Sequence, residues 1–335
     1  FKMREFKQLM SRISKGDYVP FYLLSGTEAY FIDEVETLLT DLLTDESSKS
    51  FDYSLFYGKD VDASQVVEAA KRFPMLARHH LVVVREAQHM DRSLDLIADY
   101  LTNFQSKTIL VLCYKHKVFD KRKKLYKAAN KFGEILESKK LYDNQIIQWI
   151  QERVQSITLK VDTHGLQLLV EALGSDLNKI QNEIEKFKII LPEGTLITPE
   201  LIEKHVGFSK DYNNFELYKA LGIRDFSKCI TIIKYLAENP KSHPLLVTVG
   251  GMYTFFKRLL MFHGLSDKKS AASVLGVNPF FVKDYEQASR LFNMKQSSRA
   301  LTFILEADLK SKGVGIKTIN HQGILQDMII RIFAA

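Results

Sequence analysis

Cysteine is scarce in this sequence. The two present, Cys113 and Cys229, lie far apart and at no metal-site or redox-motif spacing, which excludes a disulfide-built scaffold and fits a reducing compartment. No apolar run reaches the roughly 18 residues a membrane-spanning helix needs. The first residues alternate charged and apolar types, unlike a secretory leader. The expectation is a cytoplasmic protein with no membrane partner. Low-complexity tracts and internal repeats are also missing. The 9 histidines are scattered; His79 and His80 are adjacent and cannot both aim at one metal from a regular element, and no carboxylate or cysteine stands at ligand spacing. No Ser/His/Asp arrangement is recognisable. The residues therefore point to no metal, no cofactor and no catalytic side chain.

Glycine is missing where a nucleotide site would need it. An apolar strand at Phe21–Leu24 runs through Ser25-Gly26-Thr27-Glu28-Ala29-Tyr30 into a helix, the place of a phosphate loop in an ATPase. Such a loop uses several glycines to bare backbone N–H groups, a lysine for the phosphates and a Ser or Thr for Mg²⁺. Here there is one glycine, no lysine and a glutamate. A third strand at Leu81–Val84 ends in Arg85-Glu86 rather than paired carboxylates. Gly313-Val314-Gly315-Ile316-Lys317-Thr318 resembles a phosphate loop only superficially, because it follows a helix and lacks the spacing. No ATP hydrolysis by this chain is expected.

What is present is an ordinary globular composition: 335 residues, 46% hydrophobic and 26% charged, enough for two or three domains. Up to about residue 140, short apolar runs at Phe21–Leu24, Leu81–Val84 and Ile109–Cys113, and an alternating segment at Phe51–Tyr57, are separated by helical patterns. One helix carries Phe31, Val35, Leu38, Leu39 and Leu42. Another starts at Asp62, with Gln65 placed to complete a capping box. Strands apolar throughout and separated by helices predict a parallel α/β sheet covered on both faces. Residues 141–207 read as helices only, with stripes Ile146/Ile147/Ile150/Val154, Leu166/Leu168/Leu169/Ala172/Leu173 and Leu177/Ile180/Ile184/Phe187, a stop at Gly174 and a turn at Pro192-Glu193-Gly194. A polar linker at 209–214 leads into a second helical block, broken at Asn239-Pro240, Asn278-Pro279 and Gly313–Gly315. Within it, Tyr253, Phe255, Phe256, Leu259 and Leu260 predict a buried helix. The domains are thus 1–140, 141–211 and 212–335.

Two segments carry candidate function. Residues 115–140 hold ten Lys and Arg against Asp120, Glu134 and Glu137, an excess equal to the whole chain's +7; this is either a phosphate-backbone footprint or a solvated helix face. Lys121, Arg122, Lys123 and Lys124 are its densest part. The other is Lys71-Arg72-Phe73-Pro74-Met75-Leu76-Ala77-Arg78-His79-His80, with four apolar residues between basic brackets. Pro74 limits the preceding helix, so Met75 and Leu76 fall in a loop. They are either exposed for a partner's pocket or, with Phe73, turned inward over the sheet edge.

These residues also carry a family likeness. Phe21–Glu28, Phe73-Pro74-Met75-Leu76, Asp120–Lys124, Leu173–Leu177, Asn213–Leu217, Asn239–Ser242 and Leu275–Phe280, in that order, resemble the bacterial DNA polymerase III delta subunit over nearly the whole chain. The resemblance implies an ATPase-like (AAA+) parallel-sheet domain without a working phosphate loop, a small helical domain and a helical collar. It implies a non-catalytic clamp-loader subunit within the DNA-directed DNA polymerase holoenzyme, partnered by the sliding clamp (beta subunit), by ATP-binding loader subunits and delta-prime in a hetero-pentamer, and by primer-template DNA. It assigns clamp binding to Phe73, Pro74, Met75 and Leu76, although relatives often end this element in an aromatic residue where Leu76 stands. A delta-prime-like subunit would show a Ser-Arg-Cys motif or a cysteine-rich zinc module, and neither is present. An autonomous basic DNA-binding protein is the alternative from another class; it would bind duplex DNA without partners and with a steep salt slope.

Overall fold

A computed structural model of the chain describes residues 3–335 other than 92, 278, 316, 317 and 319. Asn278 of one expected break and Ile316 and Lys317 of the Gly313–Thr318 segment lie outside the described residues. The chain divides into two compact units, Phe1–Leu141 and Tyr142–Ala335.

The first unit is built on five parallel strands in the order β2-β3-β4-β1-β5: β1 (Phe21–Gly26), β2 (Tyr53–Tyr57), β3 (His80–Arg85), β4 (Thr108–Lys115) and β5 (Glu134–Ser138). Its helices are α1 (Met3–Ser14), α2 (Ala29–Leu43), the single turn α3 (Lys49–Asp52), α4 (Ala63–Ala70), α5 (Asp95–Tyr100) and α6 (Lys124–Phe132). β1 is buried along its whole length, and β3 and β4 are buried up to their last residue, which is why they read as continuous apolar runs. Alternate positions serve opposite faces. Phe21, Leu23, Val82, Val84, Leu110 and Leu112 pack with α4, α5 and α6 residues such as Val66, Ile97 and Leu125. The opposite face is covered by α2, which buries Phe31, Ile32, Val35 and Leu39. α4 begins as anticipated: the Asp62 carboxylate accepts the Ser64 and Gln65 N–H groups, and the Gln65 side chain accepts the Asp62 N–H.

The second unit comprises α7 (Asp143–Ser156), β6 (Lys160–Val161), α8 (Thr163–Leu173), α9 (Leu177–Ile190), β7 (Leu196–Ile197), α10 (Pro199–Val206), α11 (Asn214–Gly222), α12 (Phe226–Glu238), α13 (Leu245–His263), α14 (Ala271–Leu275), α15 (Val282–Leu291), α16 (Met294–Ser311) and α17 (His321–Ala334). It is not wholly helical: β6 and β7 pair in parallel over two residues each, too short to leave a period in the sequence. Gly174, at φ 68°, ends α8, a left-handed position that glycine fills without strain. The main core gathers Leu217, Ile232, Ile233, Met252, Phe256, Leu259, Phe292, Ile304, Met328 and Ile329. α13 is the one described helix with the length and apolarity of a bilayer span, and its Phe255, Phe256 and Leu259 are buried in this core. The expectation of burial fails at Tyr253, which lies on the exposed side of the same helix.

Candidate clamp-binding loop and the filled phosphate position

The segment between α4 and β3 is held by its backbone while Phe73, Met75 and Leu76 face outward. α4 closes with the Lys71 and Arg72 N–H groups donating to Val67 and Ala69 carbonyls. The Ala70 carbonyl accepts the Tyr100 hydroxyl at 2.8 Å, and the Arg72 carbonyl accepts the Thr108 hydroxyl at 3.3 Å. Pro74 has no N–H and keeps Phe73 out of helical geometry. The next three amides converge on one carboxylate. Met75 N–H donates to Asp52 Oδ1 at 2.5 Å, and Leu76 and Ala77 N–H donate to Asp52 Oδ2 at 2.7 and 2.5 Å. Consecutive N–H groups turned to one side form an anion-binding nest, here filled from within the protein. Asp52, the last residue of α3, is 1% exposed, whereas Phe73, Met75 and Leu76 are 69%, 73% and 64% exposed. The inward arrangement of Phe73 and Leu76 is therefore excluded.

Burial works against ionisation of Asp52, but the three amide donors, with His80 nearby, outweigh it and hold the carboxyl below its ordinary range. Asp52 is thus a carboxylate at neutral pH, with acceptor capacity for all three amides.

The turn after β1 does not form a phosphate cradle. Gly26, at φ 146°, lets the end of β5 come close: a Cβ on it would sit 1.9 Å from the Ser138 carbonyl oxygen. Thr27 N–H donates to that same oxygen at 3.1 Å, and the Ser138 hydroxyl donates to the Glu28 carbonyl at 2.7 Å. Glu28 caps α2, accepting the Tyr30 N–H at 3.3 Å. The helix N-terminus that would attract a phosphate is faced by a carboxylate. At the end of β3, Arg85 makes a forked ion pair with the buried Glu36, at 2.7 and 2.9 Å to Oε1; this occupies the place where a metal-holding carboxylate pair would stand. Among the described residues no group of three His, Cys, Asp or Glu is arranged to hold a metal.

A family model described as DNA polymerase III, delta subunit, matches residues 22–139, and one described as a middle domain matches residues 142–204. The DNA polymerase III subunit delta of Bacillus subtilis (strain 168) is 23% identical over 295 residues, covering 85% of each chain. Residues 22–139 thus resemble the DNA polymerase III delta-subunit family, and the likeness to the Bacillus subtilis subunit extends over most of the chain. The solved structure of a Bacillus subtilis DNA clamp loader delta protein shares the fold, with a TM-score of 0.57 and 22% identity over 98% of this chain and 100% of that one.

In this delta-like chain the basic segment is less free than its sequence implies. Lys121 pairs with Glu137 at 2.7 Å, Arg122 with Asp120 at 2.8 Å, Lys123 with Asp91 at 2.5 Å, and Lys124 with Asp99. Two of these carboxylates, Asp91 and Asp99, lie outside residues 115–140, so the local charge excess is smaller in the fold than along the chain. Arg122–Asp120 and Lys124–Asp99 are exposed on both sides, and surface pairs of this kind hold weakly. Lys124, Lys127 and Lys131 recur at helical spacing along α6 and are all exposed, forming one basic helix face. The residue that sequence reasoning missed is Asp52. It lies 23 to 25 positions from the amides it binds, and a single aspartate before a strand carries no local signature.

Proposed function

We propose that this chain is the delta subunit of a DNA polymerase III clamp loader, which binds the sliding clamp and opens it for loading onto primed DNA without hydrolysing ATP itself. In this reading the chain is a non-catalytic, cytoplasmic component of the DNA-directed DNA polymerase holoenzyme. Residues 1–140 engage the clamp through Phe73, Pro74, Met75 and Leu76; 141–211 form the small helical domain; 212–335 form the collar that joins ATP-binding subunits and delta-prime in a hetero-pentamer. Lys121, Arg122, Lys123 and Lys124 contact the backbone of primer-template DNA within the assembly, exchanging their present carboxylate partners for phosphate.

One observation carries the reading: two adjacent large apolar side chains, Met75 and Leu76, stand in solvent on a backbone fixed from inside. Exposed apolar residues on an ordered loop gain nothing for folding, and they suit insertion into a preformed apolar pocket. The turn after β1 supports the non-hydrolysing role, since it carries one glycine and no lysine, the Ser138 carbonyl closes on Gly26, and the Glu28 carboxylate caps the start of α2. The test is co-elution of the purified chain with its cognate sliding clamp, compared with a Met75→Ala/Leu76→Ala variant. Anchors of this size contribute on the order of 2–4 kcal/mol each in a well-packed pocket, so the variant should fail to co-elute.

A further inference from the structure

We infer that Asp52 is a positioning residue for clamp binding, holding the Phe73–Leu76 element in its binding-ready conformation before any partner arrives. The inference rests on the reading of that element as the clamp contact. The geometry points to it directly. A buried carboxylate spends its acceptor capacity on three successive amides of a loop whose large apolar side chains, Phe73, Met75 and Leu76, stand in solvent. A loop after a proline, with its amides in water, would sample many backbone states, and binding would then have to order Met75, Leu76 and Ala77 at the moment of contact. With Asp52 in place that ordering is complete on folding. The bracing is also directional. All three N–H groups point toward the protein interior, which leaves Met75 and Leu76 facing outward on a common support. Asp52 belongs to a different part of the chain, α3, joined directly to β2, so the loop is tied to the sheet edge as well as to α4.

The isosteric change Asp52→Asn keeps the shape but removes the charge, and it replaces one acceptor oxygen with an N–H₂ that confronts the loop amides. The experiment has three arms: clamp affinity of Asp52→Asn by surface-bound titration, clamp affinity of Met75→Ala/Leu76→Ala, and amide exchange of Met75, Leu76 and Ala77 in the unaltered chain. The expected result is protected exchange at those three amides and a loss of affinity for Asp52→Asn on the order of ten- to a hundredfold. Assembly with the ATP-binding subunits should stay unchanged, a readout that a general loss of structure would move. Asp52→Glu, which keeps the charge at a longer reach, should recover part of the affinity.

If the double variant loses the clamp while Asp52→Asn binds as the unaltered chain does, the positioning role is wrong and the loop reading stands. If the double variant binds normally, the loop reading fails and the inference falls with it. Should Asp52→Asn not fold, unprotected exchange at Met75, Leu76 and Ala77 in the unaltered chain overturns the inference, and protected exchange upholds it.

Discussion

Gly26 has no room for a side chain. Its φ of 146° and the 1.9 Å approach of the Ser138 carbonyl to a hypothetical Cβ mean that Gly26→Ala must displace the end of β5. A destabilisation of about 1–3 kcal/mol is expected, read as a lower urea midpoint; an unchanged midpoint would show that β5 does not close over the turn. Glu171 provides a pH signature. Burial pushes its carboxyl from the ordinary 4.5 up to about 7, against the opposing pull of the Phe215 and Asn214 amides; Phe215 N–H donates to it at 2.8 Å. Folding favours the protonated acid, so its contribution to stability is full below about pH 4.5 and is lost as pH rises through about 7, by up to about 3 kcal/mol. Glu171→Gln should therefore gain stability relative to the parent between pH 5 and 7.5. Parallel stability profiles for the two proteins would contradict this. At this scale, local chemistry was legible and distant chemistry was not. The Asp62/Gln65 capping box could be read from its spacing, and Gly174 from its place after an apolar stripe. Asp52 and the use of Gly26 could not, because each acts on residues far along the chain.

β1, β3 and β4, covered on both faces, announced themselves as apolar runs, and the less buried β2 by its alternation. β5 escaped notice because it is an edge strand reading Glu-Ile-Leu-Glu-Ser, half-buried at most positions. The helix α1 also went unread, although Phe6, Leu9 and Ile13, all buried, recur at helical spacing. α16 shows how one helix can serve two purposes. It buries Ser297, Ala300, Ile304 and Ala307 and leaves Leu305 and Leu309 exposed one turn apart. In a collar assembling with other loader subunits this second stripe is a natural contact. Leu305→Glu with Leu309→Glu should abolish co-assembly with the ATP-binding subunits while leaving the melting temperature and clamp binding intact. An early-melting variant would place these leucines in the core, and normal assembly would remove α16 from the interface.

At the scale of the molecule, the proposed division of labour follows the two compact units. The first contributes a sheet domain whose turn after β1 is closed by Ser138 and capped by Glu28, and whose loop presents Met75 and Leu76. The second contributes helices with apolar surface to spare. The class of the first domain was legible because period and burial agree along its strands; the two-residue pairing of β6 with β7 was not, being shorter than any period. The central claim is that the exposed loop binds the clamp, and one comparison tests it most directly: the parent chain and Met75→Ala/Leu76→Ala, each measured for thermal unfolding and for co-elution with the cognate sliding clamp. Because both side chains stand in solvent, the account predicts superimposable melting curves and complete loss of co-elution. If the variant still co-elutes normally, or if it melts early because the pair is core at a cost of about 2–5 kcal/mol for each truncation, the account is contradicted.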